Sequence, residues 1–141
     1  MNVRIVIRSA FVWFLVYSAS VLVIYMAFDC PLWRLPIGPE LSTLLDTAIR
    51  GVVRLSVLFM TGFTVVKKTS GNGVAYAAIA GTIVATLMLL LELLIFWNVG
   101  LIAIRSWFGS VAGLIFLLAT LGLQVGVALL GGLIGQRLKR G

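Results

Sequence analysis

The sequence predicts an all-α integral membrane protein, a four-transmembrane-helix bundle with N and C termini cytoplasmic, built as one domain over residues 1–141. Three observations predict it. Of the 141 residues 62% are hydrophobic and the mean hydropathy is +1.18, more apolar surface than a water-soluble domain of this size can cover. The apolar residues gather in four runs, at about 5–28, 48–66, 74–98 and 107–135, each near the ~20 residues that a hydrocarbon core about 30 Å thick requires. Finally, Arg4 and Arg8, Lys67 and Lys68, and Arg137, Lys139 and Arg140 mark alternate ends of these runs with no acid among them, whereas Asp29, Glu40 and Asp46 fall with Arg34, Arg50 and Arg105 at the other ends. By the positive-inside rule the purely basic side is cytoplasmic.

The first run has the basic front of a signal peptide, but its apolar stretch continues to Phe28 with no small-residue cleavage site, so it is read as a retained helix. Phe28 and Asp29 stand before Cys30 where lipoprotein processing wants small residues, and Cys30 is expected to be a free thiol. Trp13, Tyr17 and Ser20 share one helical face. Aromatics at such spacing are expected to pack and anchor rather than hold a cofactor ring.

The stretch between the first two runs contains all three prolines, and Pro39 with Glu40 suits a first helical turn, so the second helix is expected to begin near residue 40. Along it Arg50, Arg54, Thr61 and Lys68 lie on one face. KKTSGNG, residues 67–73, reads as a tight turn whose glycines and Asn72 accept left-handed backbone angles. It makes the second and third runs an antiparallel hairpin.

The third run carries LMLLLELLIF, in which one carboxylate, Glu92, stands among apolar side chains. Glu92 shares a stripe with Val74, Ala78, Gly81 and Ala85, small residues that let a neighbouring helix approach, so the acid is expected to face protein. At about 1.5 Å per residue Glu92 lies ~27 Å above Val74, Arg50 ~26 Å and Arg54 ~20 Å above Lys67. A bridge from Glu92 to either arginine, or a cluster shared with Asp46, is the expected intramembrane polar site. Its place near a membrane boundary favours a structural ion pair over a proton carrier, whose ionisable site sits near the midplane.

The fourth run contains GSVAG, GLQVG and GGLIG at 109–113, 122–126 and 131–135. Gly109, Gly113, Thr120, Gln124, Gly131 and Gly135 fall within a band of roughly 80° and form the expected helix-packing face. Gly122, Gly126 and Gly132 lie off that band and suit a second neighbour. Gln124 is expected to bond a backbone group or Thr82 or Thr86. Trp33, Trp97, Trp107 and Tyr25 mark the expected outer interface, and Tyr76 the inner one.

The absence of histidine, the single cysteine and the lack of a phosphate-cradling loop point away from an enzyme and from metal or other cofactors. The +7 charge is read as topology, with Arg4, Arg8, Lys67, Lys68, Arg137, Lys139 and Arg140 as anionic-lipid contacts, and not as nucleic-acid binding. The expected role is an accessory, assembly or interaction subunit of a membrane complex, with membrane lipids and either a protein partner or a second copy against its glycine-rich faces. The alternative is a small homo-oligomeric transporter or channel using Glu92 with Arg50 and Arg54. Compact size suggests the plasma membrane of a prokaryote as the address of this multi-pass chain.

Overall fold

The computed structural model describes residues 2–32, 34–95, 105–106 and 108–141. Long helices dominate: α1 (Asn2–Phe28), α2 (Pro39–Lys68), α3 (Gly73–Ile95) and α4 (Val111–Arg140), with no strand among the described residues. All four are long and apolar enough to cross a membrane, and the architecture is that of a multi-pass membrane protein. Trp33, Trp97, Trp107 and most of the third connection lie outside the described residues, as do the end of the third expected span and the start of the fourth.

Two helix starts differ from the hydropathy runs for local reasons. α2 begins well before residue 48, because Pro39 supplies a first-turn backbone angle and Glu40 places a carboxylate beside the unpaired N–H groups of that turn. At about 1.5 Å per residue its 30 residues extend ~45 Å, so its first turns project beyond a core about 30 Å thick. α4 begins at Val111 because Ser110, extended at φ −147°, caps it by accepting from Gly113 N at 3.0 Å. It runs on to Arg140, carrying Arg137, Lys139 and Arg140 in the last turn, where cations oppose the partial charge of unpaired carbonyls.

In the α2–α3 turn only Gly71 adopts a positive φ, of 84°. Asn72 takes a different part from the one expected: its Oδ1 accepts from Ala75 N and caps α3. The hairpin forms the middle of the bundle. α1 packs against both of its helices, α4 also packs against both, and α1 and α4 do not meet among the described residues.

The two seams of the hairpin use different chemistry. Toward α1 they interlock ordinary side chains, Val6, Ala10, Tyr17 and Val21 with Val57, Leu58, Val65, Val84, Ala85 and Met88. Toward α4 the backbones themselves approach: a side chain added at Gly62 would collide with the Ala128 carbonyl, and one at Gly131 with the Phe59 carbonyl. Lipid tails give helices no hydrophobic reason to associate, so close van der Waals packing of this kind is what holds α4 in place.

Asn2 Nδ2 donates to Ser70 O at 3.0 Å, and Lys139 Nζ donates to Thr69 O at 2.7 Å. Both chain ends and the hairpin turn therefore gather at one end of the bundle, the basic end. At the far end Arg50 bridges Asp29, just past α1, at 3.1 Å and Asp46, one turn earlier on α2, at 2.7 Å.

Candidate functional site

Two polar side chains inside the bundle, Tyr17 of α1 and Arg54 of α2, converge on Glu92. The buried face of α3 runs through Ala77, Ala80, Gly81, Val84, Ala85 and Met88, and Glu92 continues it one turn beyond Met88. That face is displaced slightly from the stripe read in the sequence, so Val74 and Ala78 flank it half-buried. On α2 the expected face is also the inner one, with Val57, Leu58, Thr61 and Val65 buried between Arg54 and the turn.

Arg54 Nη1 lies 3.2 Å from Glu92 Oε2, with side chains 22% and 30% exposed respectively. The other carboxylate oxygen accepts from Tyr17 Oη at 2.5 Å. One carboxylate thus engages α1 and α2 from its place on α3. Hydrogen bonds to both oxygens, one from a guanidinium, compensate much of the water that the acid loses on entering the span.

Of the expected cluster, Arg54 makes the ion pair to Glu92, while Arg50 and Asp46 belong to a second group with Asp29. By helical rise Arg50 is nearly level with Glu92, yet it turns to Asp29 and to Asp46 on its own helix, and Arg54, one turn deeper, reaches up to Glu92. Tyr17 was read in the sequence as a packing aromatic; it is buried as such, but its hydroxyl also completes the site. Its neighbour on that face, Trp13, donates to Thr64 Oγ1 of α2 at 3.2 Å. Ser20 donates to Val16 O within α1 instead of joining them.

Clefts border the Glu92–Arg54 bridge on two sides. One of about 340 Å³ is lined by Thr47, Arg50 and Gly51 as well as the bridge. The other, of about 200 Å³, extends toward α4 and includes Thr120 and Gln124. Gln124 does not bond Thr82 or Thr86 as expected: it is buried, whereas both threonines lie on the exposed side of α3, each donating to the carbonyl one turn back on its own helix.

The expected packing face of α4 holds over its second half and fails at its start. Gly109 precedes the cap and is not part of the helix, its N–H donating to Arg105 O. Gly113 is half-buried in the first turn, and Thr120, also half-buried, donates to Phe116 O. Gln124, Gly131 and Gly135 are buried, the last two against Phe59 and Phe63 of α2. Gly132, off that band, packs toward α3, where an added side chain would stand 2.7 Å from Ala77 Cβ. Gly122 and Gly126 face open space.

The seven cations of the basic end are all exposed. Lys139 also ties α4 to Thr69, and Lys67 Nζ lies 4.5 Å from the Phe63 ring centre. Arg8 and Lys68 line a cleft of about 350 Å³ together with Ser9, Trp13 and Thr64.

No family model matches the sequence, and no curated protein or solved structure shows significant similarity to it.

Proposed function

We propose that this protein is an accessory, assembly or interaction subunit of a membrane complex, seated in the plasma membrane of a prokaryote with both termini cytoplasmic. The observation that supports it best is the division of labour among the glycines of α4. Gly131, Gly132 and Gly135 are consumed by packing on α2 and α3, whereas Gly122 and Gly126 form an open small-xxx-small notch among exposed Leu118 and Leu123. A notch of this kind lets a foreign helix bring its backbone close, which is how helices associate in lipid. A Glu92 paired on both oxygens fits the same reading, since its charge is already answered within the chain. The exposed cations of the basic end supply the orientation and contact anionic headgroups, each worth about 1 kcal/mol near a charged surface.

A second reading, a homo-oligomeric transporter or channel working through Glu92, draws on the clefts that border the bridge. Against a path through one chain stand Leu58, Val65, Val84 and Met88, which fill the interior between the bridge and the basic end. Extraction in a mild detergent followed by mass measurement of the intact assembly distinguishes the two. The interaction reading expects a foreign subunit in fixed ratio; a pure homo-oligomer, with ion flux in liposomes abolished by Glu92→Gln, replaces it with the transporter.

A further inference from the structure

Two hydroxyls near the basic end do not make the bonds that their neighbours make. Ser18 and Ser20 of α1 donate to the carbonyl one turn back, as do Thr61 and Thr69 of α2. Ser9 of α1 is 5% exposed and makes no side-chain hydrogen bond among the described residues, and Thr64 of α2 accepts from Trp13 Nε1 while its own proton finds no acceptor among them. Both residues line the cleft of about 350 Å³ between α1 and α2. Among the described residues the polar side-chain atoms both unpaired and sealed off are Arg54 Nε and Gln124 Oε1, so the Ser9 hydroxyl stays open to a guest. A mostly buried hydroxyl without a partner is destabilising unless the cleft it borders supplies one.

The chemistry of the guest follows from what the wall offers. Arg8 comes from α1 and Lys68 from α2, no acid lines the cleft, and neither cation meets a carboxylate among the described residues. Two cations and two hydroxyls are four groups with protons to donate, and the Trp13 indole beside them already commits its N–H to Thr64. The guest must therefore bring negative charge and several acceptor oxygens. A phosphate brings both, since its unesterified oxygens each accept more than one bond and a guanidinium meets two of them at once.

We infer that this cleft holds the phosphate of one anionic phospholipid, which Arg8 and Lys68 neutralise and the Ser9 and Thr64 hydroxyls bind. The inference deepens the headgroup contact proposed above, adding one defined site to a general attraction, and it does not depend on a partner subunit. The volume of about 350 Å³ lies at the lower end of the roughly 300–1,000 Å³ of ligand pockets, room for a headgroup whose chains stay outside. Val12 on the wall is 49% exposed and continues the cleft onto the outer side of α1, where acyl chains lie. An inorganic phosphate would leave that apolar wall unused, which favours the lipid. Depth agrees as well. Asn2 is tied to Ser70 of the turn, Arg8 stands ~9 Å further along α1 and Thr64 ~6 Å deeper than Lys68, so long cationic side chains at the cleft reach the headgroup layer of the basic end.

The full chain in a mild detergent, titrated with dioleoyl phosphatidylglycerol and with dioleoyl phosphatidylcholine, tests this when native mass spectrometry reports the bound fraction. The expected result is a saturable single-lipid adduct with phosphatidylglycerol, about tenfold weaker with phosphatidylcholine, whose own cation meets Arg8 and Lys68. Lys68→Gln and Ser9→Ala each weaken the adduct about tenfold, whereas Lys67→Gln, which removes the same charge one position away but outside the cleft, weakens it no more than about twofold. Inorganic phosphate in large excess at constant ionic strength leaves the adduct in place. Displacement by it makes the cleft a free-phosphate site and overturns the lipid. Equal losses from the two lysine variants overturn the cleft and leave the general attraction standing, whereas equal binding of the two lipids, or no saturable adduct with either, removes both. Unchanged binding by Ser9→Ala also overturns the inference. If Ser9→Ala fails to fold, the two exposed lysines still decide.

Discussion

Tyr17 joins α1 to α3 by a hydrogen bond as well as by packing, and it separates what residue counting reads from what it misses. Glu92 and Arg54 belong to helices joined by a tight turn, so a constant rise per residue sets their relative depth and the pairing was legible to within one turn. α1 is tied to α2 by an irregular segment with two prolines, Pro31 and Pro36, which gives no such ruler, and a tyrosine among apolar residues looks like any other packing aromatic. Gln124 shows a second limit. Its expected partners Thr82 and Thr86 lie on the exposed side of α3, a placement that depends on how α3 is rotated in the bundle and not on residue type. At this scale Tyr17→Phe is expected to lower stability in detergent by about 1 kcal/mol with helix content unchanged, as interhelical hydrogen bonds in membranes commonly do. Thermal unfolding followed by circular dichroism checks it, and a variant as stable as the parent leaves the Tyr17 hydroxyl without a role in the junction.

Among the helices, α4 depends on shape where α1 depends on side chains. Because the carbonyls of Ala128 and Phe59 stand where a side chain at Gly62 or Gly131 would go, Gly131→Leu forces α4 away from α2 and is expected to cost about 1–3 kcal/mol or more. Gly126→Leu meets open space and is expected to change stability by less than about 0.5 kcal/mol. Its effect belongs to assembly: in the interaction reading Gly126→Leu loses the foreign subunit on co-purification while the chain itself remains folded, and full retention of that subunit moves the docking face elsewhere. The glycine spacing made the packing side of α4 legible from Gln124 to Gly135. It could not separate the glycines spent inside from those left open, because that depends on which two helices α4 meets. Gly109 was misplaced for a local reason, since Ser110 followed by an apolar run is a helix start and everything before it lies outside the face.

For the molecule as a whole, an even number of spans and two hydrogen bonds, Asn2 to Ser70 and Lys139 to Thr69, put both chain ends beside the hairpin turn. Hydropathy and charge alone carried that much of the fold. The order in space, with the hairpin between α1 and α4, depends on matching faces and was not legible. If the basic end is cytoplasmic, a membrane-impermeant maleimide added to spheroplasts labels the free thiol Cys30, and in a Cys30→Ser, Ser70→Cys variant labels nothing until the membrane is opened. The reverse pattern inverts the topology. The central claim is that Glu92 joins three helices by being neutralised inside the bundle, and a double-mutant cycle tests it most directly: thermal stability in detergent of the parent, Glu92→Gln, Arg54→Gln and the pair together. The account predicts that each single change destabilises and that the double change costs less than their sum by about 1 kcal/mol. Strictly additive losses would contradict it.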